Sequence, residues 1–281
     1  MKKYLKLYPH YLAMALKSKM IYRADWAIGL LGLVVSNLVT FATLYLSTLP
    51  VQSLGGWNLS HIMFLYGFLL IPMGIDHMLT DKLWNYGGGL INSGELDRIL
   101  MKPVNPLFQM CAEYFQEGGL GEVILGITFM AIFGPQISLD WSFNVVFPIV
   151  IGAAFSPLIY FAIKLWTMSI AFYNRRSLSI MSGVYNIKEY GKYPASIYHT
   201  GNWVGEVVYN ALLFVLPFGL VGYLPLAAQM FPGQDIPFLW FSIPSNNYLI
   251  MGVIVLVSVS QFALAYLFFS RAIRHYSSAG A

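Results

Sequence analysis

Six apolar runs, at about residues 26–48, 61–79, 118–138, 143–172, 203–226 and 248–270, set what this chain can fold into. A bilayer core about 30 Å thick takes roughly 20 helical residues to cross. Inside it every backbone N–H and C=O must find a partner within the protein, which favours helices for runs of this length. Only 10% of the 281 residues are charged and 58% are apolar, against roughly 25% charged in soluble domains. The sequence therefore predicts an all-α integral membrane protein with one six-helix transmembrane domain over 26–270, flanked by segments 1–25 and 271–281.

Charge placement predicts the orientation. With six spans, residues 1–25, 80–117, 173–202 and 271–281 share one side and hold six, three, four and two Lys or Arg residues. Loops 49–60, 139–142 and 227–247 hold none, and the remaining basic residue, Lys164, lies inside the fourth run. The positive-inside rule then places both termini in the cytoplasm of a multi-pass plasma-membrane (bacterial cytoplasmic membrane) protein. The net charge of +4 follows from this asymmetry, so nucleic-acid binding is not expected. Lys2 and Lys3 resemble a charged leader, but no small-residue cleavage pattern follows the first run, which is expected to be retained. Trp26, Trp84 and Trp203 are expected at inner span ends and Trp57, Trp141 and Trp240 at outer ends, where indole rings suit the headgroup zone. The lone Cys111 excludes an intrachain disulfide.

Several stretches depart from plain spans. Tyr4, Leu5, Tyr8, Tyr11, Leu12, Ala15 and Leu16 are read on one arc of a helical wheel opposite Lys2, Lys3, Lys6, His10 and Lys17, which predicts an amphipathic interface helix, kinked or started at Pro9. Pro148 and Pro157 predict a bent fourth span, from which Lys164 would snorkel toward the cytoplasm. Pro217, Gly219, Gly222 and Pro225 interrupt the fifth. Residues 226–247, with Pro232, Pro237 and Pro244, are expected to dip into the outer leaflet as short helices packed on protein.

Catalytic constellations are absent: there is no H-E-x-x-H, C-x-x-C or G-x-S-x-G. Asp76 beside His77 is the best acid–base pair, and its place at a span end predicts a solvated cap. Neither Gly87-Gly-Gly89 nor Gly191-Lys192 completes a phosphate-binding loop, because no lysine follows the first and Tyr193 stands where a hydroxyl residue must hold magnesium. The chain alone is not expected to hydrolyse ATP. The charges inside the runs, Asp76, Glu122, Lys164 and Glu206, lie toward cytoplasmic ends rather than the midplane, where an ion-driven carrier needs them. Energy for transport is expected from a partner.

The longest cytoplasmic connection, 80–117, carries the remaining signal. Asn92, with Glu95 three residues on, predicts a helix cap, and Pro103 a stop. At 100° per residue Leu96, Ile99 and Leu100 share one face, and Glu95, Arg98 and Lys102 the other. The apolar face can rest on the protein while the charges meet a soluble domain; a solvated connector is the plain alternative.

The run Gly94-Glu-Leu-Asp-Arg-Ile-Leu-Met-Lys-Pro-Val-Asn-Pro106 resembles the coupling-helix region of permease subunits of type-2 ABC exporters, with Met101 where leucine is expected. In particular it resembles the six-span permeases that often occur as two dissimilar subunits with a separate ATPase. Tyr193-Pro-Ala-Ser-Ile-Tyr198, Leu216-Pro217 and Tyr223-Leu-Pro225 are similar to later segments of the same subfamily. The resemblance implies a non-catalytic subunit in which Gly94, Glu95, Leu96, Asp97, Arg98, Ile99, Leu100, Lys102 and Pro103 couple to an ATPase. It also implies a second permease, and ATP and magnesium on the partner ATPase, with no cofactor in this chain. A stand-alone channel or secondary carrier, or a membrane-embedded lipid enzyme, is the alternative from the residues alone.

Overall fold

A computed structural model describes residues 2–21, 23–50, 53–91, 93–137, 139–231, 233–238 and 241–277. Helix α1 (Lys2–Ile21) starts ahead of Pro9 and runs through it. It is followed by α2 (Arg23–Thr48) and α3 (Leu59–Thr80). The short α4 (Lys82–Asn85), a π-turn at Tyr86–Leu90, α5 (Glu95–Leu100) and α6 (Pro106–Ala112) lead to α7 (Gly118–Phe133). Helices α8 (Phe143–Phe155), α9 (Pro157–Ser169) and α10 (Ala171–Asn174) join into one 32-residue run. The chain ends through α11 (Leu178–Asn186), α12 (Trp203–Asn210), α13 (Phe218–Met230) and α14 (Asn247–Ala272). Among the described residues, 5 helical stretches are long and apolar enough to cross a membrane: α2, α3, α7, α8 to α10, and α14.

Helix α3 is the axis of the molecule. Asn58 starts it with a reciprocal cap, its Oδ1 accepting from the His61 N–H while His61 Nδ1 accepts from the Asn58 N–H, which satisfies two otherwise orphan donors. Residues 62 to 70 are buried through both faces, as befits a helix apolar all round. Antiparallel α7 packs against it through glycines seven residues apart, Gly67 and Gly74 on α3 facing Gly126 and Gly119 on α7. A Cβ on Gly126 would stand 2.5 Å from the Gly67 carbonyl oxygen, and one on Gly119 would overlap the Gly74 carbonyl. With no apolar-against-water gain between helices in lipid, close backbone approach supplies the attraction.

The path after α10 departs from the sequence reading. The Ser177 N–H donates to the Gly87 carbonyl, beside the C-terminal end of α3, whereas the Ser196 hydroxyl donates to the Gly55 carbonyl, just before its N-terminal end. Between those points α11, a 3-10 turn at Ile187–Lys192 and a second at Ala195–Tyr198 carry the chain along the whole of α3. Residues 173–202 are thus not a loop on one side but a crossing. Hydropathy passes over it because Lys188, Glu189 and Lys192 dilute its apolar residues and no continuous helix forms.

The expected fifth span, 203–226, is correspondingly a bent pair. Trp203–Val215 and Phe218–Met230 meet at 96°, where Pro217 cannot donate a backbone bond. The pair starts near Ser196, turns at Phe218 against Tyr160 and Tyr185, and ends with Phe231 on Trp57 and His61. Both its ends therefore lie at the N-terminal end of α3, so it enters and returns. Among the described residues six crossings remain, with α1 and the end of α14 on the face that carries α4 to α6. That face, here the basic face, holds every Lys and Arg of the described segments except Lys164, Lys188 and Lys192.

Three smaller expectations also change. Residues 226–247 do not form short helices: α13 runs on to Met230, then Ile236–Phe238 pairs antiparallel with Phe241–Ile243. The prolines deny a helix, and the Tyr209 hydroxyl donates to the Pro237 carbonyl at 2.6 Å. Trp57 is 1% exposed and belongs to the core rather than the headgroup zone, while Trp203 lies at the far end rather than on the basic face. Trp26 and Trp141 are exposed as expected, and Pro232 and Trp240 lie outside the described residues.

The glycine contact gives a direct test. Gly119→Val should cost about 1–3 kcal/mol of stability through overpacking, read as a lower detergent Tm. Gly121→Val, where nothing lies within 4 Å, should change Tm little.

Candidate functional site

Residues 94–103, whose helical part is α5, are set on their own subunit at the basic face. Gly94 begins it with φ 78, a left-handed conformation that glycine adopts without strain; Asn92, the expected cap, lies outside the described residues. Leu96 and Ile99 are 0% exposed, packed with Leu107 and Met110. Leu100, expected on the same buried face, is 42% exposed and Met101 is 79% exposed. The buried face is centred between Leu96 and Ile99, and Leu100 lies about 70° from that centre at its edge, so the outer surface mixes Glu95, Arg98, Leu100 and Met101. Asp97 is half-buried beside Gly94.

A carboxylate missed in the sequence braces this helix. Glu113, at the end of α6, takes Arg98 at 3.3 Å, Lys102 at 3.2 Å and the Gln109 amide at 2.5 Å. Helix α1 completes the frame. Lys3 donates to the Pro103 carbonyl at 2.8 Å, the Tyr11 hydroxyl to Gln109 at 2.7 Å, and Lys19 pairs with Glu117 at 2.5 Å. The amphipathic helix is thus tied to the 94–103 region rather than only to the interface.

The chain matches the model of the ABC-2 family transporter protein over residues 31–280. It belongs to that family. Comparison with curated proteins and with solved structures found no match. Membership makes this multi-pass membrane protein a permease component of an ABC transporter and displaces the lipid-enzyme and stand-alone carrier readings.

Between the basic face and the centre of this ABC-2 protein lies a buried ion network. Lys164 on α9 is 0% exposed, so it does not snorkel. Its ammonium reaches Asp76 Oδ2 at 2.8 Å, Asp81 Oδ1 at 2.7 Å and Thr80 Oγ1 at 3.2 Å, which uses all three donors. Asp76, 1% exposed, is no solvated cap: it also accepts from the Thr80 hydroxyl at 2.6 Å and the Tyr185 hydroxyl at 2.9 Å. Its neighbour His77 turns instead to Glu122 on α7, 2.7 Å away. The network joins α3, α9, α7 and the crossing segment, and Asp81 is the residue immediately before α4, which leads to α5. An intramembrane lysine with Asp76 in another span was the available signal, since such a charge is almost always paired.

Removing one partner from a buried pair leaves an uncompensated charge worth about 3–5 kcal/mol. Lys164→Met should therefore lower stability by about that much, and adding Asp76→Asn should recover most of it, because Asp81 retains access to water. Thermal unfolding of the purified single and double variants measures both.

Proposed function

We propose that this permease component works as an exporter subunit, with its basic face in the cytoplasm, a second permease beside it, and ATP and magnesium held by a separate ATPase that grips residues 94–103. The observation that carries the reading is the two-sidedness of that helix. Leu96 and Ile99 anchor it, Glu113 braces it from behind, and Glu95, Arg98, Leu100 and Met101 are left outward on the face richest in basic residues. A connector without a partner has no need of a fixed frame of three ion pairs and a tether to α1. The exposed apolar pair between charges suits a protein interface, whose core tolerates Leu and Met inside a polar rim. The orientation rests on the positive-inside rule, and the second permease on the resemblance at residues 94–106.

Substitutions separate coupling from folding. Glu95→Lys with Arg98→Glu, or Leu100→Asp, should abolish ATPase pull-down and ATP-driven transport in reconstituted vesicles while folded permease falls little, because the exposed Arg98–Glu113 pair lost in the first is worth only about 0–1 kcal/mol. Leu96→Asp, at a 0% exposed position, should cost about 3 kcal/mol or more and reduce folded protein itself. Wild-type assembly and transport in the charge-reversed pair would remove this helix from the mechanism. Purified alone, the chain should neither bind nor hydrolyse ATP.

Orientation is checked by labelling. A cysteine at exposed Gln234 should react with an impermeant thiol reagent in intact cells, and one at Arg176 should not. Burial pushes the native Cys111 thiol up to about 12, so it stays protonated near neutral pH and contributes little background.

A further inference from the structure

Helices α1, α3, α6 and α9 do not close on one another. Between them lies a cavity of about 410 Å³, within the range of roughly 300–1,000 Å³ usual for ligand sites. Leu79, Phe108, Ala112, Leu158 and Phe161 line it, with Tyr8 on the α1 side. Phe108 is held as a wall by the Tyr4 and Tyr11 rings of α1, at 4.7 and 6.3 Å between centroids.

The lining residues fix its depth. Pro157 starts α9 near the middle of the 32-residue run Phe143–Asn174, whereas Asn105 caps α6 on the basic face. The cavity therefore extends from about the membrane centre to the basic surface, one half of a hydrocarbon core about 30 Å thick. It opens to the outside of the molecule. Helix α1 beside it leaves Leu5, Leu16 and Met20 exposed, as a helix lying against lipid does.

Water does not suit this space. Asp76 and Thr80 also line it, but Asp76 already accepts from Lys164, Thr80 and Tyr185, and the Thr80 hydroxyl from Lys164. The Asn105 side chain accepts from the Phe108 N–H and donates to the Tyr266 hydroxyl. The Tyr8 hydroxyl and the weakly bonding Cys111 thiol remain, too few for a volume of water in which each buried molecule makes about three hydrogen bonds. Close-packed interiors do not keep empty voids of this size either. We propose that the cavity holds one acyl chain of a resident phospholipid from the leaflet at the basic face. Among the described residues, none from the crossing segment or from α2 lines it, so the site is separate from those elements. Two of its walls, α1 and α6, frame residues 94–103, and the other two carry the Lys164 network. The chain thus completes the packing between them.

Photolabelling tests this on the full wild-type chain in detergent. A phosphatidylcholine with a diazirine on one acyl chain should mark Phe108, Cys111, Leu158 or Phe161. Excess dioleoyl phosphatidylcholine or phosphatidylglycerol should lower that labelling at least about tenfold, as one saturable site requires. Dihexanoyl phosphatidylcholine, with the same head on short chains, should compete little. Labelling that is not competed, or that spreads evenly over exposed Leu31 of α2 and Leu256 of α14, would overturn the site. Leu158→Trp, at a half-buried position, fills the cavity and should lose the Cys111 label while keeping its Tm in lipid-free detergent; retained label in that variant would also overturn it. Reconstituted with the ATPase, the label yield should stay constant during ATP turnover. Depletion by turnover would mark a transported amphiphile instead and overturn the resident assignment.

Discussion

Lys164 holds the interior of this protein in one arrangement. Its three donors end on Asp76, Asp81 and Thr80, and Asp76 in turn takes the Tyr185 hydroxyl. Taken out of water, such a set repays its desolvation only when every lone pair and proton is used. Here Lys164 and Asp76 are satisfied by groups from α3, α9 and the crossing segment together, while Asp81 keeps access to water. None of the three can shift far alone without straining a charge-assisted bond. The apolar packing on either side is less selective, since lipid is as good a solvent for Leu as another helix is. The network and the glycine contact between α3 and α7 are what distinguish this arrangement from other bundles of the same helices.

Much of the membrane architecture was legible because it rests on composition. The runs that became α2, α3, α7, α8 to α10 and α14 lie within a few residues of their sequence bounds, since a continuous helix through hydrocarbon must be apolar over a fixed length. The resemblance at residues 94–106 agrees with the family that the chain belongs to. What escaped was path. A hydropathy profile scores how apolar a stretch is, and 203–226 is apolar, yet Pro217 and the packing of Phe218 on Tyr160 turn it back on itself. The true partner crossing contains Lys188, Glu189 and Lys192, and reads as a loop to any scale that penalises charge without knowing what the charge faces.

The same blindness explains the misplaced side chains. Lys164 was expected to snorkel because a lone lysine in a span has that escape; its partners lie 83 and 88 residues earlier in the chain and no local pattern reveals them. Leu100 was assigned to a buried face because a helical wheel gives the angles between side chains but not where the neighbouring protein ends, and Leu100 falls at the edge of the face that Leu96 and Ile99 bury. Glu113 carried no signal beyond being an acidic residue in a loop, and only the fold brings it beneath Arg98 and Lys102.

These features together make a continuous mechanical route from the basic face to the membrane centre. Helix α5 is joined through the π-turn at Tyr86–Leu90 to α4, and α4 follows Asp81 directly. The π-turn contains Gly89 at φ 147, a conformation closed to other residues, and the Gly87 carbonyl within it holds Ser177 at the start of the crossing. A push on α5 thus meets two outlets at once. One is Asp81 and the ion network; the other is Gly87 and the root of α11. Both end on the segment that carries Glu189. In the proposed exporter, a partner that moves α5 would not need a long-range relay, because the residues it grips and the crossing segment are tied to the same two anchor points. The buried pairs resist continuous deformation, so motion along this route would pass between discrete arrangements rather than bend gradually.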